Sequence, residues 1–295
     1  MKRSLSLSLT ALMISIMLSL TSCSSMMGSL TDSMTKSLFG QKDIQLLEDG
    51  GPAFLLIIEA LADRDPKNKD MLIAAMQAFS AYSTAFVDDK ERGAIFLQKS
   101  KNWAMACLMN YPNFAKYNNS TDKDIKDAAL DKFIAGIKKK DVPYVFWSAY
   151  SWAFWIMANL DSMEAFIDLP VAKRIIERVG EVDGDFYYGA PHLFLGVYYA
   201  SYPENFGGDM NRAKSEFDYA LNLAGDKMLT SKLLYANTYL KTKGDKEAYR
   251  QIMEDIISAD VNQYADTRLL NVITQQNAEK MLDNIDETFM MFDFD

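Results

Sequence analysis

From residue 43 onward, apolar positions recur at the spacing of a helix, without the alternation of a half-buried strand. Prolines and glycines interrupt this pattern at short intervals and divide it into segments of helical length. The predicted helices span residues 44–49, 52–63, 68–87, 90–110, 122–138, 143–160, 163–168, 171–181, 190–201, 209–223, 227–242, 245–258 and 263–291, the last one broken. The pattern predicts an all-α chain of antiparallel helix pairs joined by short turns.

Two consecutive helix pairs carry the alternation of small and large residues that is typical of tetratricopeptide (TPR) repeats. The first copy consists of Leu195, Gly196 and Tyr199 on helix A and of Ala213, Phe217 and Ala220 on helix B. The second copy consists of Tyr235, Ala236, Tyr239, Ala248 and Ile252, with Asp255 in place of the last alanine. Small residues let two helices approach closely while the aromatic residue fills the groove between them. We therefore expect a TPR-like array, an α-solenoid with insertions.

The first segment of the chain has the order of a bacterial lipoprotein signal. Lys2 and Arg3 precede an uncharged, leucine-rich stretch at residues 4–22, as in secretory signals. The stretch ends in Leu20-Thr21-Ser22-Cys23, which resembles the lipobox, whose cysteine is acylated and becomes the new N-terminus. The sequence thus predicts a signal peptide at 1–22, a lipidated Cys23 with a tether to residue 42, and one helical domain at 43–295. Cys23 would attach this domain to the lipid bilayer.

Composition excludes several classes of function. The chain of 295 residues has a net charge of −9, which becomes −11 once Lys2 and Arg3 are removed, and this acidic balance argues against a nucleic-acid partner. A single histidine excludes metal sites that need two or three imidazoles. With Cys23 acylated, Cys107 is the remaining thiol, and its apolar neighbours predict a buried, unreactive residue. No metal or other cofactor is predicted.

The stretch 142–160 is uncharged and contains three of the four tryptophans. A helix that is apolar on all sides is buried among its neighbours, so most of these aromatic residues are expected in the core. The alternative is that Trp147, Tyr150 and Phe154 line an apolar groove where a solute or a partner helix binds.

His192 lies among aromatic residues and has two interpretations. It is either a histidine near a helix start that bonds to the backbone or a carboxylate, or a polar contact on a binding surface with tyrosine walls. The candidate binding residues are Trp147, Tyr150, Phe154, Tyr187, Tyr188, His192, Tyr198 and Tyr199. Hydrolase elbows, zinc signatures and nucleotide loops are missing from the sequence, so no catalytic residue is assigned and an enzyme is not expected.

The segment 189–199, Gly-Ala-Pro-His-Leu-Phe-Leu-Gly-Val-Tyr-Tyr, is followed by Gly207-Gly208-Asp209 and the helix B motif described above. Together they resemble the T-component (TatT) family of lipoproteins that are associated with tripartite ATP-independent periplasmic (TRAP) transporters. The start at Gly50-Gly51-Pro52 and the aromatic helix fit the same pattern, and the resemblance covers roughly residues 45–260. It implies a TPR-like periplasmic protein that assists a solute-binding P-component, which delivers ligand to a membrane permease.

The sequence therefore predicts a lipid-anchored periplasmic accessory subunit that binds the P-component and a hydrophobic organic solute. The alternative is a TPR scaffold lipoprotein for cell-envelope or outer-membrane protein assembly. Co-purification with a solute-binding protein would favour the first, and co-purification with assembly proteins the second. The sequence does not decide between the outer and the inner membrane, and it leaves open whether the protein forms a homo-oligomer.

Overall fold

The structure is a computed structural model that describes residue 40, residues 43–159 and residues 161–290, except for the side chain of residue 206. The predicted signal peptide, Cys23 and most of the tether lie outside the described residues. The helices are α1 (Ile44–Arg64), α2 (Lys69–Phe86), α3 (Lys90–Met109), α4 (Pro112–Asn119), α5 (Lys123–Gly136), α6 (Val142–Ala158), α7 (Met163–Asp183), α8 (Phe186–Ser201), α9 (Met210–Ala224), α10 (Leu229–Tyr235, continued by a π-helix at Ala236–Leu240), α11 (Lys246–Ser258), α12 (Arg268–Asp283) and α13 (Ile285–Phe289). Between residues 43 and 290 the described chain has helices and turns but no strand.

Short polar side chains fix where many helices begin. The side chains of Asp43, Asn68, Asp89 and Asp122 each accept a hydrogen bond from the backbone N–H three residues later. Such N-caps satisfy backbone donors that have no partner inside the helix.

The predicted breaks at Pro52 and Pro170 are wrong, because each proline lies inside one continuous helix, α1 or α7. A proline inside a helix removes one backbone hydrogen bond and costs about 3 kcal/mol. Buried residues on the C-terminal side of each proline, such as Leu55 in α1 and Ile175 in α7, pack into the core and hold the helix together. Tertiary packing therefore outweighs the local breaking signal.

The α8–α9 pair shows the packing that the repeat pattern predicts. Ala213, Phe217 and Ala220 of α9 are completely buried. A Cβ atom on Gly196 of α8 would lie 2.9 Å from the ring of Phe217, so the glycine allows the two helices to approach. Contacts also join α2 with α3, α3 with α6, α6 with α7, and α11 with α12, while α4 and α5 form an inserted pair. The all-α, TPR-like array of antiparallel helix pairs is confirmed.

Two groups of buried side chains form the core. The smaller group joins α1, α2 and α3, and the larger one runs from α3 to α13. Cys107 is fully buried in the smaller group, and burial raises the pKa of its thiol, which agrees with an unreactive residue. In the part of the chain that the structure describes, we find no helix whose length and apolarity would suffice to cross a membrane.

Candidate functional site

One side of α6 carries a stripe of half-buried aromatic residues. Trp147, Tyr150 and Phe154 follow each other at spacings of three and four residues and so share one side of the helix. The centroids of the Tyr150 and Phe154 rings are 4.7 Å apart. Residues of α8 complete this surface, with Tyr187 5.0 Å from Trp147 and Phe194 6.4 Å from Tyr150. We call the aromatic face the six residues Trp147, Tyr150, Phe154, Phe186, Tyr187 and Phe194.

The other aromatic residues of α6 belong to the core. Trp152 and Trp155 are 2% and 6% exposed. The indole N–H of Trp152 donates a hydrogen bond of 2.9 Å to Asp168, and that of Trp155 donates one of 2.6 Å to Gln98. One side of this helix is therefore core, as expected for most of its aromatic residues, and the other side is half-buried.

Two tyrosine hydroxyl groups on the aromatic face make no hydrogen bond within the described part of the chain. Among the described residues, neither Tyr150 nor Tyr187 has a hydrogen-bond partner for its hydroxyl group, and neither oxygen is one of the fully enclosed polar atoms. Burial raises the pKa of Tyr150 well above its usual value and the pKa of Tyr187 to about 12. Tyrosine is already a neutral hydrogen-bond donor at physiological pH, and the upward shifts do not change this.

A left-handed turn places Tyr187 on the aromatic face. The φ angles of Tyr187, Tyr188 and Gly189 are 43°, 60° and 80°. This conformation costs roughly 1–2 kcal/mol for each residue with a side chain. Gly189 packs closely on α9, because a Cβ atom there would lie 3.2 Å from the Cα atom of Ala220. Strain of this kind is concentrated at functional sites in proteins, which supports a role for the turn.

His192 contacts α7 and α9 rather than the aromatic face. Its Nδ1 atom lies 2.6 Å from a carboxylate oxygen of Glu216, and its ring lies 4.0 Å from that of Tyr219. A Cβ atom on Gly184 would lie 2.5 Å from Nε2, so this glycine makes room for the imidazole. The contact is the one expected of a histidine bonded to a neighbouring carboxylate.

Tyr198 and Tyr199 are also part of the packing between helices. They are 8% and 2% exposed. The hydroxyl group of Tyr199 donates a hydrogen bond of 2.9 Å to Glu177, and the guanidinium group of Arg212 lies 4.2 Å from its ring centroid. The structure thus brings together Trp147, Tyr150, Phe154 and Tyr187, while Tyr188 contacts Tyr187 at 5.6 Å. It does not bring His192, Tyr198 or Tyr199 to the same surface.

Sequence analysis missed Phe186 and Phe194, which lie on the aromatic face. Helical spacing could not have related them, because the left-handed turn at 187–189 lies between Phe186 and the regular part of α8. Two surface depressions of about 90 and 240 Å³ lie elsewhere, around α4 and α5, and both are smaller than a typical ligand pocket. Within the described ranges, no three acidic, cysteine or histidine residues are grouped as metal ligands would be.

Comparisons with known proteins agree with this architecture. The family model of the TRAP transporter T-component matches residues 40–289, a range that includes every helix from α1 to α13. A protein of Treponema pallidum (strain Nichols), described as uncharacterized, is similar to this chain, with 20% identity over 275 residues that cover 87% of this chain and 83% of the relative. Because the family model matches most of its length, the chain belongs to the TRAP transporter T-component family.

Proposed function

We propose that this protein is an accessory lipoprotein of a TRAP transporter that uses the aromatic face to bind the solute-binding P-component and a hydrophobic organic solute. Membership of the T-component family supplies the association with the transporter and the cell envelope. The observation that carries the finer proposal is the aromatic face, in which six half-buried aromatic side chains from α6 and α8 lie side by side.

The chemistry of this face favours an apolar ligand with a hydrogen-bond acceptor. No charged residue lies between Val142 and Ala158 on α6, so the face offers ring surface rather than ionic contacts. The hydroxyl groups of Tyr150 and Tyr187 lie in partly buried surroundings that raise their pKa, and neither has a hydrogen-bond partner among the described residues. Binding sites for small molecules are typically apolar with a few such polar groups that fix the orientation of the ligand.

The proposed mechanism is recognition without bond formation in the solute. Arrays of helix pairs present extended surfaces to partner proteins. Aromatic side chains in an interface contribute strongly to such contacts, because they bury a large area with little loss of side-chain entropy. The solute would be held between the aromatic face and the solute-binding subunit before transfer to the permease.

A binding experiment with matched variants tests this proposal. Trp147→Ala and Phe194→Ala each remove one ring from the face, and calorimetry measures the affinity for the solute-binding subunit of the same transporter. We expect each variant to weaken binding about tenfold, the effect of losing ~1.4 kcal/mol. Tyr264→Ala, a half-buried tyrosine outside the face, is the control and should leave the affinity unchanged.

An unaltered affinity in the Trp147→Ala/Phe194→Ala double variant would refute the proposed role of the face. If envelope-assembly proteins co-purify with this protein and no solute-binding subunit does, the scaffold alternative is favoured.

Lipid attachment at Cys23 is the remaining part of the proposal. The support is the basic head, the apolar stretch 4–22 and the lipobox-like ending. Cys23→Ala should abolish the incorporation of labelled palmitate and release the protein from the membrane fraction. Labelled protein in the Cys23→Ala variant would contradict acylation at this residue.

A further inference from the structure

Exposed apolar side chains of the described residues are concentrated on four neighbouring helices. Within the described ranges twelve large apolar side chains are exposed, and four of them, Ile125, Tyr219, Leu223 and Met290, lie on other elements. The remaining eight lie in the first two thirds of α1, near the start of α3, at the end of α6 and at the start of α7. We call the apolar end these eight residues: Leu46, Leu56, Ile57, Ile95, Met157, Met163, Phe166 and Ile167.

Hydrogen bonds show that α1 and α3 run in the same direction. Glu59 accepts a hydrogen bond from Lys99, and Asp63 accepts one from Trp103. The two residues of each pair are forty positions apart in sequence, so each residue of α1 lies beside the residue of α3 that is forty positions later. The first turns of α3 therefore lie beside the middle of α1. Ile95 is therefore level with the segment of α1 that carries Leu56 and Ile57.

The α6–α7 connection lies at the same end. Trp155, three residues before the end of α6, donates a hydrogen bond of 2.6 Å to Gln98 in the first half of α3. Lys101 of α3 lies 2.6 Å from a carboxylate oxygen of Glu164 and 3.6 Å from one of Asp168, both near the start of α7. Four helix segments thus bring their exposed apolar residues to one end of this part of the array.

The outward direction of the α7 side chains is determined by packing on the other side of the helix. Ala165 is fully buried, and Asp168 faces the buried amine of Lys101 and the indole of Trp152. Met163 and Phe166 consequently point away from the core and are 73% and 61% exposed. Neighbouring exposed apolar side chains often mark an interaction surface, so Met163 and Phe166 need an explanation other than core packing.

We propose that the apolar end inserts into the interfacial region of a lipid bilayer. Because α1 and α3 run in the same direction with an offset of forty residues, the N-terminus of α1 extends beyond the start of α3 at this end. In the sequence 42 residues precede Asp43, the N-cap of α1, with an uncharged apolar stretch at 4–22. A lipid attached at Cys23 would bring this end towards the membrane, where exposed apolar side chains add a second binding contribution. The orientation rests on the proposed lipid attachment, whereas binding of the apolar end to lipid does not.

The charges next to the apolar end specify the kind of lipid surface. The α2–α3 connection and the start of α3 expose three acidic residues, Asp88, Asp89 and Glu91. The same segment exposes two basic residues, Lys90 and Arg92. This excess of negative charge is repelled by anionic headgroups. The apolar end therefore fits a zwitterionic surface.

The experiment uses the chain 24–295, which lacks Cys23. This chain retains the folded core, because the buried apolar residues of the described structure lie between Leu55 and Phe289. It is mixed with phosphatidylethanolamine–phosphatidylcholine vesicles, and the bound fraction is measured by flotation. We expect binding by the unaltered chain, and a reduction of about tenfold or more for Met163→Ser/Phe166→Ser, because two apolar side chains lose their contact with lipid.

The matched control is Ile125→Ser/Leu223→Ser, which removes two exposed apolar residues from other elements and should leave vesicle binding unchanged. Circular dichroism confirms that each variant is folded. Adding phosphatidylglycerol to the vesicles should weaken binding.

Three results would overturn the proposal. The first is no binding of the unaltered chain to zwitterionic vesicles, and the second is equal loss in both double variants. The third is a dimer in solution that Met163→Ser/Phe166→Ser dissociates, which would make a second copy the occupant of the apolar end. None of these results would affect P-component binding by the aromatic face.

Discussion

The contact between Gly196 and Phe217 allows a sharp test of how α8 and α9 are packed. In Gly196→Ala the new Cβ atom would lie 2.9, 3.0 and 3.1 Å from three carbons of the Phe217 ring. The ring is completely buried and packs 5.3 Å from the ring of Tyr235, so it has little room to move away. Gly196→Ala should therefore force the two helices apart or strain the ring.

The expected magnitude follows from two opposing effects. Overpacking a core position destabilises a protein by about 1–3 kcal/mol. Alanine is favoured over glycine inside a helix by about 1 kcal/mol. The free energy of unfolding of Gly196→Ala should consequently fall by about 1 kcal/mol. In the Phe217→Leu background the clash is absent, and the same change should raise the free energy of unfolding by up to about 1 kcal/mol.

The assay is urea unfolding of the unaltered protein, the two single variants and the double variant. The two effects predict a coupling energy of about 2 kcal/mol between positions 196 and 217. Gly50→Ala in α1 is the control, because no atom lies within 4 Å of its Cβ position, and it should be stabilised. If Gly196→Ala stabilises the protein as much as Gly50→Ala does, the close approach of α8 and α9 is refuted.

Three further predictions concern strain and buried charge. Gly189→Ala should lower the free energy of unfolding by about 2 kcal/mol, because φ is +80° and Ala220 is close; an unchanged value in urea unfolding would contradict the left-handed turn. Burial raises the pKa of Tyr187 to about 12, so between about pH 10 and about pH 12 the hydroxyl group stays protonated in the native state but loses its proton in the unfolded state. The free energy of unfolding should therefore fall as the pH rises from about 10 to about 12, and it should fall less in Tyr187→Phe, which unfolding measured at several pH values checks. Lys101→Met removes the cation beside the carboxylate of Asp168, whose pKa is already raised by burial. We expect the free energy of unfolding to fall by about 3 kcal/mol at neutral pH. The loss should shrink in acid, where Asp168 of the native state takes up a proton, and unfolding measured at neutral and at acidic pH checks this.

Local sequence signals predicted most helices but not their continuity. The helical period and the prolines and glycines that interrupt it are local properties. They predicted helices from residues 209 and 245, where Asp209 and Asp245 cap α9 and α11 in the structure. The continuity of α1 through Pro52 depends on the packing of Leu55 and Ile58 against other helices. A proline marks a local cost, but the compensating contacts come from residues that are distant in sequence.

The structure brings together only some of the candidate residues, and the difference from the predicted group has a geometric cause. His192 and Tyr199 are seven residues apart and share one side of α8, the side that meets α7 and α9. Phe194 is two residues from His192, about 200° around the helix axis, and therefore meets α6 instead. Grouping aromatic residues by their proximity in sequence merged two sides of one helix that helical spacing separates.

Tyr187 reaches the aromatic face by a route that helical spacing does not describe. It precedes the regular part of α8, and the left-handed turn at 187–189 sets the direction of its ring towards Trp147. The strain of two tyrosines in this conformation, about 2–4 kcal/mol together, is offset by ring contacts and by the approach of Gly189 to Ala220. These contacts are tertiary, so no local rule predicts the turn. Because the same turn also positions an unpartnered hydroxyl group, loss of the turn in Gly189→Ala should weaken ligand binding at the aromatic face as well as stability.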